Sequence, residues 1–382
     1  MTKFLNLSLI SSKKPCRGYS SRRNQFEVLT GPKYREITMN TLLKKPTIQI
    51  DGSIGEGGGQ ILRTALALSM ITGQAFELQN IRAGRKKPGL MRQHLVCVNA
   101  SQQISNAETR GAELHSQNLY FAPQQIQSGR YDFHIGSAGS TTLVLQTILP
   151  ALMIQDHPST ISIHGGTHNP LAPSADFIEH CFIPALKEIG IEMAIETERA
   201  GFFPIGAGQI NVKISPWKNP AFYSKLSRGK PISLSAFAAA LNIPHDIATR
   251  ELEVLSNRLE LTTQKQLYPQ GISQGNSAFV LAEFEQHIQV FSALGEKRKS
   301  AENVAKDLAK DVKNYLNSDA IADEYLADQL LLPLALGKGG EFTAQVISEH
   351  TRTQAMLIER FLDCEIIFHE NAEHCSKIQV NV

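Results

Sequence analysis

A single local plan recurs along this chain, and it limits the folds available to it. Alternating strand residues run through a glycine- or proline-rich turn into a segment with helical apolar spacing. The plan appears first at Thr47 to Asp51 followed by GSIGEGGGQILRTALALSMITG, then at FHIGSAGSTTLVLQTILPAL from Phe133 and at ISIHGGTHNPLAPSADFIEHCFIPAL from Ile161. A further unit ends in GKGGEFT near Phe342. Repetition of one supersecondary unit predicts pseudo-symmetric modules that bury their helices together around a common cleft. The expected class is α/β (α+β), with repeated units of sheet and packed helices.

Length and composition add limits. The 382 residues exceed what one small core organises, and 42% hydrophobic with 19% charged residues is ordinary for a globular chain. A formal charge of +2 is too small for nucleic-acid binding by bulk electrostatics, so an anionic partner needs a local cluster. Five scattered cysteines (Cys16, Cys97, Cys181, Cys364, Cys375) with no CxxC pair argue against a disulfide framework or structural zinc and fit a reducing cytoplasm. The longest apolar run, around Leu143 to Ile154, is interrupted by Gln146 and Pro150, so no membrane span is expected. Residues 1–45 collect Lys3, Lys13, Lys14, Arg17, Arg22 and Arg23 before the first acidic residue, Glu27. That composition is similar to a transit peptide. A disordered extension, or a true start at Met39, fits as well.

From about Leu226 to Asn317 the composition turns more charged and helix-rich. Residues 233–261 read as a helical repeat broken near Pro244, AEFEQHIQVFSALGEKR reads as a strand pair, and Ala301 to Leu316 as an amphipathic helix. The expected organisation is therefore a basic extension over 1–45, a large domain over 46–225 and 318–382, and a small α/β domain inserted over 226–317.

Several positions are candidates for chemistry. The glycines at 52, 55, 57, 58 and 59 let the backbone approach a ligand ahead of a helix N-terminus, although a tight structural turn has the same composition. The loop is no Walker A motif, since no Gly-Lys-Ser/Thr follows, and Gln60 stands where a dinucleotide fingerprint wants its last glycine. Glu56 is out of place for direct phosphate binding unless it holds a divalent metal that in turn holds phosphates. Four cations at Arg82, Arg85, Lys86 and Lys87, followed by Arg92, Gln93 and His94, make either an anion site or a solvated basic turn. Gln146, among apolar neighbours, is a core hydrogen-bonder or a ligand contact. His350 is either a surface histidine or a nucleophile, because a neutral imidazole attacks phosphorus without a separate base once a second group fixes its tautomer.

Taken together, DGSIGEGGGQILRTALALSMITG, IRAGRKKPGLMRQHL, GSAGSTTLVLQTILPAL, GGTHNPLAPSADFIE, GEKRKSAENVA and EYLADQLLLPLALGKGGEFT with its following histidine closely resemble the RNA 3'-terminal phosphate cyclase family, from about residue 47 onward. The resemblance implies a large domain of four-stranded sheets, each with two helices, plus a smaller inserted α/β domain. It implies ATP-dependent conversion of an RNA 3'-terminal phosphate to a 2',3'-cyclic phosphate through a covalent histidine-AMP at His350. It also implies nucleotide contacts at Gln146, Tyr325, Leu326, Ala327, Asp328 and Gln329, and phosphate or RNA contacts at Arg63, Arg82, Arg85, Gln93 and His94. Glu56 would serve Mg²⁺ or Mn²⁺. The implied partner is RNA bearing a 3'-terminal phosphate, with no membrane. The oligomeric state stays open, a homodimer included.

Two other classes remain in view. A non-catalytic cyclase-like RNA-binding protein of ribosome assembly would share the fold and lose the histidine. An enolpyruvyl transferase would share the repeated architecture and the anion-binding cations, with no need for ATP or a nucleophilic histidine.

Overall fold

The computed structural model describes residues 46–55, 58–371 and 375–382; the expectations for residues 1–45 and for Glu56 lie outside them. Glycine turns and apolar periodicity yield the expected elements. In the first unit β1 (Ile48–Asp51) leads through the glycine loop into α1 (Gln60–Thr72), then β2 (Phe76–Gln79), α2 (Arg92–Ser105), β3 (Glu108–Arg110) and β4 (Leu119–Ala122). The second contains β5 (Arg130–His134), α3 (Thr141–Met153), β6 (Ser159–Gly165), a segmented helix of α4 (Ala175–Phe177), a π-turn (Ile178–Phe182) and α5 (Ile183–Glu188), then β7 (Met193–Arg199) and β8 (Gly208–Ile214). Pro184 at the start of α5 has no N–H to donate to the preceding turn, which suits the local change of winding.

Next come β9 (Tyr223–Lys225), β10 (Pro231–Leu241), α6 (Asp246–Arg258), β11 (Thr263–Leu267), β12 (Gly275–Phe284), β13 (Ile288–Leu294) and α7 (Ala301–Leu316). The chain closes with α8 (Glu324–Leu336), β14 (Gly340–Ala344), α9 (Glu349–Phe361), β15 (Glu365–His369) and β16 (Ser376–Asn381).

Three sheets share one topology: β1-β2-β4-β3, β5-β6-β8-β7 and β9-β14-β16-β15. In each, the first two strands are parallel and the remaining pairs antiparallel. This is the repetition anticipated from the glycine turns. The third unit is split in sequence, because a fourth sheet, β11-β10-β12-β13, falls between β9 and α8. That sheet and its helices α6 and α7 have a hydrophobic cluster of their own, around Leu255, Leu308 and Tyr315.

Residues 233–241 correct the sequence expectation: they form the strand β10, not a helix. Alanine favours helix intrinsically, but tertiary pairing decides here. β10 is hydrogen-bonded on both edges, to β11 and β12, and Ala236, Ala238 and Ala240 form its buried face. On the other face Phe237 stacks on Phe279, ring centroids 4.7 Å apart. Small side chains on the covered face let α6 and α7 lie close to the sheet.

In the three repeated units the helices lie together. α1 packs against α2, α3 and α9, and α8 packs against α9. α3 is buried on every side except at Gln146, as an all-round apolar helix must be. No described helix is long and apolar enough to cross a membrane. Leu330, fully buried on α8 in this shared core, sets a test. Leu330→Ala removes contacts that a rigid interior cannot replace and should cost about 2–5 kcal/mol, read as a lowered urea midpoint.

Candidate functional site

Two helices start at the same place. α9 opens with Ser348, whose Oγ accepts from Thr351 N at 3.2 Å, so His350 is fixed in a capped first turn. α1 opens at Gly59 with no side-chain cap, which leaves its first N–H groups facing outward beside the glycine loop. The loop and α9 touch. Gly55 has φ 60°, and a Cβ there would sit 2.2 Å from Thr353 Oγ1, so only glycine permits this approach.

Gln60 joins the two helices. Its Oε1 lies 2.7 Å from His350 Nδ1. The two hydrogens of its Nε2 are shared among three acceptors, the His350 carbonyl at 3.1 Å, Asp328 Oδ2 at 3.4 Å and Gln354 Oε1 at 3.5 Å. Because the amide nitrogen is committed as donor, Oε1 must accept, which places a proton on Nδ1 of His350. Gln354 is held in turn by Thr64 Oγ1, which donates at 2.6 Å. The sequence alone assigns no role to Gln60, Thr64 or Gln354. Gln354 did carry a signal, since it lies four residues after His350 on one helical face.

A cavity of about 90 Å³ opens beside this network, lined on its polar side by Gln60, Arg63, Gln146, Asp328, Gln329 and Gln354 and on its apolar side by Met153, Phe182, Leu332 and Pro333. Gln146 Nε2 donates to Gln329 Oε1, whose own Nε2 donates to the Tyr325 carbonyl at 3.0 Å. The two possibilities for Gln146 thus coexist, as it is a hydrogen-bonder within the protein and a cavity residue. Tyr325 is exposed at 62%, whereas Leu326 and Ala327 are fully buried in α8 and do not line the cavity.

Charge at the site is governed by burial. Burial pushes the Asp328 carboxyl up to about 8, with Asp323 and Glu324 adding to the effect and Arg63 opposing it. Asp323, whose Oδ1 caps α8 by accepting from Tyr325 N and Leu326 N at 3.1 and 2.8 Å, is pushed up to about 7 by burial. Arg63 is lowered by the same desolvation. His94 is driven down to about 3 by burial, then by Arg63 and Arg82, so it is neutral. Its Nδ1 accepts from Met91 N at 3.2 Å, placing the remaining proton on Nε2.

The cationic residues surround the glycine loop. A Cβ at Gly59 would lie 2.4 Å from His94 Nε2 and 2.8 Å from an Arg63 nitrogen, and one at Gly58 would lie 3.2 Å from an Arg85 nitrogen. Arg82, in the left-handed region at φ 57°, donates to the Lys87 and Gly89 carbonyls at 2.6 and 3.0 Å, which folds its own turn. Gln93 faces the second unit, its Oε1 accepting from Ser140 N at 2.9 Å. The structure therefore brings His350, Asp328, Arg63, Gln146 and Gln329 around one cavity and its bridging amide, with Arg85 and His94 at the loop. Arg82 and Gln93 are engaged in loop contacts, and Glu56 lies outside the described residues.

Fold and site define a repeat-built α/β protein with a histidine of fixed tautomer beside cationic groups at two helix N-termini. The family model described as RNA 3'-terminal phosphate cyclase matches residues 54–368. A protein of Koribacter versatilis (strain Ellin345) named RNA 3'-terminal phosphate cyclase is 44% identical over 337 residues, covering 87% of this chain and 95% of that protein. One of the same name from Ralstonia nicotianae (strain ATCC BAA-1114 / GMI1000) is 44% identical over 346 residues, covering 90% and 99%. The chain belongs to the RNA 3'-terminal phosphate cyclase family.

The raised Asp328 value has a measurable consequence. A carboxyl whose folded value lies above its ordinary one favours folding fully only below the ordinary range, and that contribution is lost as pH climbs toward 8. Relative to Asp328→Asn, the unaltered protein should lose stability from pH 5 to pH 8 with a ceiling of about 1.4 kcal/mol per pH unit. Urea unfolding of both proteins across that range reads it; the edge of the cavity, where water reaches Asp328, keeps the slope below that ceiling.

Proposed function

We propose that this protein uses ATP to convert an RNA 3'-terminal phosphate into a 2',3'-cyclic phosphate through a covalent histidine-AMP on His350. The observation that carries this reading is the 2.7 Å contact between His350 Nδ1 and Gln60 Oε1, which orients the ring and makes Nε2 the nitrogen for attack. Family membership supports the reaction class.

His350 Nε2 attacks the α-phosphorus of ATP. A nitrogen–phosphorus bond forms as the bond to pyrophosphate breaks, and the Gln60 carbonyl steadies the positive charge that develops on the ring. An oxygen of the RNA 3'-phosphate then attacks the same phosphorus, which frees the histidine and leaves RNA joined to AMP through an anhydride. The neighbouring 2'-hydroxyl attacks the RNA phosphorus, loses its proton and expels AMP. Activation is needed because a phosphate oxygen alone leaves poorly, whereas AMP leaves readily from an anhydride.

Arg63, Arg85 and neutral His94 would hold phosphate oxygens as charge shifts during attack, and Arg82 and Gln93 would shape the loops that carry RNA. Gln146 and the Tyr325–Gln329 segment would receive the nucleotide, with Leu326 and Ala327 packed behind the exposed Tyr325 and the cavity residues Asp328 and Gln329. Asp328, held protonated near neutral pH by burial, is a poor metal ligand. Mg²⁺ or Mn²⁺ would rest on Glu56 and on the nucleotide's own oxygens, and would neutralise triphosphate charge.

In the same reading, residues 226–317 form a domain inserted in a larger one over 46–225 and 318–382, and the protein works in the cytoplasm. The free thiols of Cys97, Cys181, Cys364 and Cys375 favour that reducing compartment. Incubation with ATP labelled at the α-phosphate and Mg²⁺ or Mn²⁺ should give an acid-labile, alkali-stable adduct that His350→Ala abolishes. Gln60→Ala should slow its formation on the order of 10²-fold by misplacing the ring. No adduct with either metal would overturn the proposal and restore the binding-protein and enolpyruvyl-transferase readings.

A further inference from the structure

Away from the cavity, the outer face of the second unit's sheet carries two histidines and an aspartate whose donor atoms converge. Asp132 and His134 are two residues apart on β5 and so project to the same side. His164 on β6 is the direct parallel partner of His134. The two imidazole rings stack with centroids 4.0 Å apart and planes within 6°. Asp132 Oδ1 lies 3.0 Å from His134 Nε2 and 2.9 Å from His164 Nε2, and one donor atom from each of the three side chains falls within 4.8 Å of the others.

The two histidine–carboxylate separations are close to the spacing of ligands sharing an ion, and a turn of the parallel rings about their Cβ–Cγ bonds would aim both Nε2 atoms at one centre. Donors about 2.0–2.2 Å from a tetrahedral centre lie roughly 3.3 Å from each other. A further detail separates this cluster from an ordinary histidine–aspartate pair. His164 Nε2 is shielded from solvent and makes no hydrogen bond, so despite its 2.9 Å approach the ring nitrogen is not aimed at the carboxylate. A buried ring nitrogen without a partner is costly to leave unsatisfied, and a metal ion among the three donors would satisfy it.

We propose that Asp132, His134 and His164 bind a divalent first-row transition ion of the zinc class, at a site separate from the nucleotide cavity. Two imidazoles and one carboxylate suit zinc, which imidazole binds well, and disfavour magnesium, which requires oxygen donors. The remaining coordination positions face solvent, since the Asp132 and His134 side chains are well exposed.

The placement gives the ion a structural consequence. β5 and β6 run straight into two loops that are already joined, Gly166 N donating to Gly139 O at 2.7 Å and Thr141 N to Gly166 O at 2.9 Å. Ser140 N in turn holds Gln93. An ion across His134 and His164 would clamp both strands just before these loops and restrain the segment against which Gln93 is packed.

The test uses the full chain stripped with chelator and titrated calorimetrically with Zn²⁺ in excess Mg²⁺, with Co²⁺ absorption as a second measure of the ligand set. The expected result is one equivalent of Zn²⁺, undisturbed by Mg²⁺, and a rise in melting temperature on loading. Asp132→Asn, His134→Asn and His164→Asn should each weaken binding by at least about tenfold. His157→Asn, at a surface histidine elsewhere in this unit, should leave it unchanged. Melting of the stripped variants verifies that they fold. Unchanged Zn²⁺ affinity in the His134 and His164 variants, or no saturable uptake by the full chain, would overturn the proposal.

Discussion

The side-chain amide of Gln60 ties three helices at one point. From the first turn of α1 it reaches Asp328 on α8 and both His350 and Gln354 on α9, elements separated by more than 260 residues of sequence. A primary amide has two donor hydrogens and one acceptor oxygen, so its donor contacts dictate that its oxygen faces the imidazole. Tautomer, ring orientation and helix packing are thereby one constraint. The helices converge because each repeat buries its helical face against the others, and without that shared core the amide would have nothing to span.

The same burial sets the electrostatics. Desolvation penalises every charge near the cavity: it neutralises His94, favours the protonated form of Asp328 and weakens the hold of Arg63 on its proton. The site therefore presents positive and neutral donors to a ligand, which suits a polyanion and would repel few of its oxygens. Glycine at positions 55, 58 and 59 is the steric counterpart, because a Cβ at any of them would meet Thr353, Arg85 or His94 with Arg63.

Much of this was legible beforehand. The glycine turns and apolar periods announced the repeat, and Ala301 to Leu316 proved to be the amphipathic helix its stripe describes. His350, Asp328, Gln146, Gln329 and Arg63 were singled out from sequence and lie around one cavity and its bridging amide. Residues 233–241 were misread because alanine and serine carry a helical preference that pairing with β11 and β12 overrides. In the sequence Gln60 stands out only as the wrong residue for a dinucleotide loop. Its role depends on an aspartate and a histidine far along the chain, and no local pattern encodes that.

By itself, the sequence determined most of the local elements, the recurrence of a strand, glycine turn and helix, and the residue types available for chemistry. Those properties follow from short-range periodicity and backbone permissiveness, which neighbouring residues specify. Tertiary structure decided which nitrogen of His350 faces the Gln60 oxygen, which carboxyls burial pushes up, and that His134 meets His164 thirty residues later. Each of these is set by through-space contact and exclusion of water. Such effects exist only once the three repeats have closed their helices on one another.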